Sequence, residues 1–138
     1  MRTALAALLL STLSMAVCAQ HAEADDQPIY EGTWKVGFDG QRSGRLVLRD
    51  WEGSWVETGP AKTVTPACRG KKLPVTIHHS TPENLEFTAW GVTVSPQCPN
   101  TSFVMHPDGG RADALQGETA EKEKVRMARS GGKQGSRR

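Results

Sequence analysis

The sequence predicts an all-β domain: a small eight-stranded antiparallel meander barrel carrying one disulfide. Three observations predict it. From Glu31 onward, apolar and polar residues alternate in short runs, the period-two pattern of half-buried strands. Turn residues such as Asp39-Gly40, Pro82-Glu83-Asn84 and Asp108-Gly109-Gly110 punctuate those runs at short intervals. No stretch beyond the N-terminal segment carries a helical period. Closing such a meander on itself removes its exposed edges; a two-sheet sandwich is the alternative.

The chain starts with Met1-Arg2, followed by an apolar run, Thr3 to Val17, and small residues around Val17-Cys18-Ala19. This is the anatomy of a secretory signal peptide over 1–19, and the run is short of the roughly 20 residues that span a bilayer. Cleavage after Ala24, or lipidation at Cys18, are the alternatives. Residues 20–30 are polar and acidic and read as a flexible lead-in.

Strand one, Glu31 to Phe38, alternates Trp34, Val36 and Phe38 with Thr33, Lys35 and Gly37. Asp39-Gly40 turns the chain. Strand two, Gly44 to Arg49, points Leu46 and Leu48 inward and Arg45 and Arg49 outward. Asp50 to Gly53 forms the second turn, and strand three, Ser54 to Thr58, puts Trp55 and Val56 on opposite faces. Gly59 to Lys72 is the longest connection, broken by two prolines. Strand four, Leu73 to Ser80, sets Leu73, Val75, Ile77 and His79 on one face. Strand five starts at Leu85 with Phe87 and Ala89 inward. Trp90, Val92 and Val94 then continue out of phase, which predicts a bulge near Trp90-Gly91. Strand six is Thr101 to His106. Strands seven, Ala112 to Glu118, and eight, Lys122 to Arg129, form the last hairpin, completing a domain over 31–129. Residues 130–138 lack apolar side chains and read as a disordered basic tail.

Removing a signal peptide at Ala19 leaves two cysteines, Cys68 and Cys98. In an exported chain they pair most simply with each other. Closing that loop of about 31 residues stabilises the fold by roughly 3.5 kcal/mol. Charge is unevenly spread. Residues 20–121 hold 9 basic and 14 acidic side chains, net −5, and residues 122–138 hold 7 basic and 1 acidic, net +6.

Gly32-Thr33-Trp34 at the head of the first strand of a small exported barrel resembles the calycin group, which includes lipocalins, avidins and the bacterial periplasmic inhibitors of metalloproteases. The resemblance implies structural roles for Gly32 and Trp34. It also implies a last-strand cation over the Trp34 indole, Arg126 or Arg129, with Arg126 taken as the partner.

Site candidates are few. Trp51 occupies a turn, where an exposed ring favours partner or sugar contacts. Lys62, Arg69, Lys71 and Lys72 cluster in the long connection and, with tail residues such as Lys133, Arg137 and Arg138, suit an anionic polymer. No aromatic interleaving points to specific nucleic-acid recognition. His78, His79 and His106 lack a third ligand at metal spacing, so no metal or cofactor is expected. No hydrolase, metalloprotease or phosphate-loop motif occurs, and no enzyme activity is expected. The sequence therefore predicts a periplasmic or secreted, non-catalytic binding module whose partner is a small apolar ligand or an envelope protein. The alternatives are a protease inhibitor acting through residues 20–30 and an envelope protein docked on anionic polymer.

Overall fold

A computed structural model describes residues 29–131. The signal-peptide reading, residues 20–28 of the lead-in and residues 132–138 of the tail lie outside the described residues.

Eight strands follow in order: β1 Gly32–Phe38, β2 Ser43–Arg49, β3 Glu52–Glu57, β4 Leu73–Thr81, β5 Asn84–Ala89, β6 Thr101–Asp108, β7 Arg111–Thr119 and β8 Lys124–Arg129. Each pairs antiparallel with the next, and β8 returns to β1, with Trp34 opposite Arg129 and Val36 opposite Met127. That last pairing makes the sheet a closed barrel and rules out the sandwich.

The predicted alternation holds along most strands because one face of every strand looks into a shared interior. Trp34, Val36, Phe38, Leu46, Leu48, Trp55, Leu73, Val75, Ile77, Leu85, Phe87, Phe103, Met105, Leu115, Val125 and Met127 are all buried there. An eight-stranded barrel is just wide enough for side chains to fill it, and here aromatic rings do so. Phe87 stacks on Phe103 with centroids 4.5 Å apart, Trp55 lies 5.8 Å from Phe103, and Phe38 meets both Trp55 and Phe103 at 5.9 Å. Gly44 makes this possible: a Cβ there would fall within the Trp55 ring.

The hairpin turns use the backbone conformations their sequences allow. Gly109 and Gly110 both take positive φ, as do Gly40 and Gln41, the pattern that matches strand twist in a tight hairpin. Asp50 also turns at positive φ, so the turn before β3 is Asp50-Trp51 alone, and Glu52 and Gly53 already pair with Arg49 and Leu48.

Two local expectations fail. Strand five ends at Ala89 instead of continuing through Val94. Gly91 packs so closely on the Cys98-Pro99 backbone that a side chain there would clash, and its carbonyl accepts from the amides of Val94 and Ser95. The chain therefore turns, leaving Val92 and Val94 exposed. Register shifts lie elsewhere, in β4 between Ile77 and His79 and in β6 between Pro107 and Asp108; the first concerns the histidines. The β4 shift moves His79 off the inward face, so that both His78 and His79 are exposed.

Candidate functional site

The first strand enters at one end of the barrel, and that end is sealed. Tyr30, assigned above to the lead-in, belongs to the barrel: it is 1% exposed, and its hydroxyl donates to the Thr81 carbonyl at 2.6 Å. The Trp34 indole N–H donates to the Tyr30 carbonyl at 3.0 Å. Burial, followed by the nearby Glu83 charge, pushes the Tyr30 phenol above its ordinary pKa. Arg129 covers this arrangement, with its guanidinium 4.5 Å from the Trp34 ring centroid and donating to the Glu31 carbonyl. The cation over the indole is thus Arg129 and not Arg126. β8 alternates, so Val125 and Met127 point inward and Arg126 points out. Gly32, at positive φ, leaves room for Arg129: a Cβ there would lie 2.6 Å from its Nη1.

The opposite end is closed by the long connections. The disulfide joins Cys68, in a 3-10 turn over Pro66–Cys68, to Cys98, with Cα atoms 5.0 Å apart. Arg42 lies 4.3 Å over the Phe38 ring and bridges two carboxylates, Glu57 at 2.9 Å and Glu123 at 2.7 Å. Burial alone would lower the Arg42 pKa; the two carboxylates outweigh it and hold the pKa above its ordinary value. The Glu57 side chain is 7% exposed, and its Oε2 has no protein hydrogen-bond partner.

The structure separates the sequence-predicted surface candidates. Trp51 is 39% exposed on the β2–β3 turn, at the Tyr30 end. Lys62, Arg69, Lys71 and Lys72 are exposed in the β3–β4 connection, at the disulfide end. They form no single site with Trp51. The histidines are also dispersed. His78 Nε2 lies 2.8 Å from Thr88 Oγ1, which lies 2.9 Å from Ser102 Oγ, and His106 Nδ1 lies 3.2 Å from the Glu83 carbonyl oxygen.

Two grooves lie on the outer wall, both within the size range of ligand clefts. One, of about 760 Å³, runs over β6, β7 and β8, and its lining includes Asp39, Val104, His106, Glu118, Lys124 and Arg126. Its carboxylate Glu118 is held below its usual pKa by a hydrogen bond from Lys122 at 3.2 Å and also accepts from Lys124 at 3.5 Å. The other, of about 580 Å³, runs over β1 and β2 and is lined by Thr33, Lys35, Ser43, Arg45, Thr58 and Ser130. Lys35 and Arg45 sit directly opposite each other in the ladder. Ser130, assigned above to the tail, extends the β1 pairing by donating its amide to the Thr33 carbonyl at 2.8 Å.

No family model matches this chain, and no curated protein matches it either. Among solved structures the chain is similar to a redesigned beta barrel, at 15% identity over 72% of this chain and 88% of that one, with a TM-score of 0.37. The fold assignment rests on the closed strand pairing instead.

Sequence reasoning marked Lys35, Arg45 and Arg126 as outward or basic but did not join them. They belong to β1, β2 and β8, and only barrel closure brings β8 beside the first hairpin. The Arg42, Glu57 and Glu123 cluster was missed for the same reason, since its members are 15 and 81 residues apart.

Proposed function

We propose that the protein is an exported, non-catalytic binding module that acts through its outer surface. The observation that carries this reading is the filled interior. Four aromatic rings occupy the centre of the barrel, and both ends are closed by side chains and loops, whereas the grooves lie outside. A carrier that encloses an apolar ligand needs the reverse arrangement. The Cys68–Cys98 bridge supports export, because disulfides persist in oxidising compartments. The stacking of Arg129 on Trp34, behind Gly32, supports kinship with the calycin group.

Titration of the full chain with a fluorescent fatty acid tests the reading. The expected result is no saturable one-to-one uptake and unchanged fluorescence from the buried Trp34 and Trp55. Stoichiometric uptake that quenches those tryptophans overturns it. Cell fractionation tests export: the expected product is an oxidised chain outside the cytoplasm that starts after Ala19, and a reduced, uncleaved cytoplasmic chain contradicts it.

A further inference from the structure

We infer that the outer wall of β2, β1 and β8 is a binding track for a linear acidic polysaccharide, centred on Gly37. The inference rests on the outer-surface reading above and names its ligand class.

Gly37 is the key observation. Glycine weakens a strand interior and is usually explained by positive φ or by a close backbone approach. Neither explanation applies here. Gly37 is not at positive φ, and a Cβ built on it would meet nothing within 4 Å. The fold therefore tolerates a side chain at a position where the chain has none. No register shift falls at Gly37 in either of its ladders, and a bare strand glycine on the outer face suits a close approach to the backbone from outside the barrel.

The surroundings indicate what approaches. On one side Gly37 pairs with Ser43, which lines the groove over β1 and β2; on the other it pairs with Arg126, which lines the groove over β6, β7 and β8. The bare glycine thus sits between a residue of one groove and a residue of the other. Two residue pairs along, on the same face, Lys35 stands opposite Arg45 across the ladder. Like charges placed directly opposite destabilise a sheet. Among the described residues none of Lys35, Arg45 and Arg126 has an ion pair or a side-chain hydrogen bond. Three unpaired cations around an uncovered strip of backbone suit a chain that carries repeated oxyanions.

Two further features select a polysaccharide. Thr33, Ser43, Thr58 and Ser130 line the β1–β2 groove and offer hydroxyls that exchange hydrogen bonds with sugar hydroxyls. No Phe, Tyr or Trp lines either groove, which removes the stacking platform used by single-stranded nucleic acids. Of the acids in the first groove, Glu118 is held by Lys122 and Lys124. Asp39 has no ion pair and opposes the ligand.

The test is binding of the full chain to polygalacturonate and to dextran sulfate, with unmodified dextran and a single-stranded oligodeoxynucleotide as comparisons. The polygalacturonate and dextran sulfate arms separate carboxylate from sulfate as the recognised oxyanion. Binding to at least one acidic glycan is expected, weakening as salt rises, with none to dextran. The double variant Lys35→Gln/Arg45→Gln should weaken it at least about tenfold. Gly37→Val should weaken it similarly with an unchanged or higher Tm, which separates the effect from unfolding. Asp39→Asn should tighten it. The triple variant Lys62→Gln/Lys71→Gln/Lys72→Gln should bind like the wild type, and the basic tail is common to every variant. Wild-type binding by both the Gly37 and the Lys35/Arg45 variants overturns the track. So does tighter binding of the oligodeoxynucleotide, or binding of neither acidic glycan. None of these outcomes bears on the fatty-acid titration, so the outer-surface reading stands or falls separately.

Discussion

Arg129 and Trp34 stand directly opposite each other in the β1–β8 ladder, and the guanidinium caps the indole at 4.5 Å. The seam that closes the barrel is therefore also the place where its end is sealed. A partly desolvated cation over an indole contributes about 1–2 kcal/mol, and the hydrogen bond to the Glu31 carbonyl adds to it. Arg129→Gln should cost about 2 kcal/mol in urea unfolding. Arg126→Gln, on the outer wall, should stay within about 0.5 kcal/mol. Equal losses would remove the distinction between the two arginines.

Tyr30 gives a pH signature. Its folded pKa is raised above 10.0 by burial and by Glu83. A raised folded pKa means that the phenol's contribution is complete below the unfolded value and is lost as pH rises through the folded value. Stability should thus hold up to about pH 10 and fall above it, as deprotonation removes the donor to Thr81. Tyr30 is the chain's single tyrosine, so tyrosinate absorbance reads this group alone. Titration at or below the free-phenol pKa would contradict the placement. Tyr30→Phe should remove the alkaline transition.

Reduction tests the bridge. Cys68 and Cys98 are 30 residues apart, and tying such a loop lowers the entropy of the unfolded chain by an amount worth roughly 3.5 kcal/mol. Cys68→Ser/Cys98→Ser should lose that much in urea unfolding, with a somewhat steeper denaturant slope because the untied unfolded chain exposes more surface. A loss under about 1 kcal/mol would show that the end stays closed without the covalent tie.

Arg42 tests the other plug. Removing it leaves the buried Glu57 carboxylate without its counter-ion, a change that costs about 3 kcal/mol. Arg42→Met should show that loss in thermal unfolding, and Arg42→Met/Glu57→Met should recover most of it. If the double variant is no better than the single one, Glu57 is not the strained partner.

Two of the strand glycines, Gly44 and Gly37, separate packing from surface. Gly44→Ala places a methyl where the Trp55 ring lies and should cost about 1–3 kcal/mol through overpacking. Gly37→Val meets open space and should cost nothing or stabilise the strand. A destabilising Gly37→Val would mean that the outer wall there is not free.

The barrel was legible because a closed sheet imposes one rule on every strand, and Trp34, Leu46, Phe87 and Met127 all obey it. The disulfide followed from counting cysteines. The failures occur where that rule is locally suspended. Val92 and Val94 alternate in sequence, yet Gly91 must approach Cys98 closely and the chain turns. His79 sits in phase with Ile77, yet a bulge shifts it outward. The seam cation was narrowed to two arginines, and choosing Arg129 over Arg126 required the β8 register against β1. The outer track was not legible, because Lys35, Gly37, Arg45 and Arg126 become neighbours only when the first strand lies between the second and the last.

Amide shift mapping during titration with polygalacturonate or dextran sulfate tests the central claim, a filled barrel that binds with its outer wall. The shifts should concentrate at Lys35, Gly37, Ser43, Arg45 and Arg126, while the amides of Trp34, Phe87 and Phe103 stay still. Shifts concentrated at those interior residues, or along Gly59 to Lys72, would contradict it.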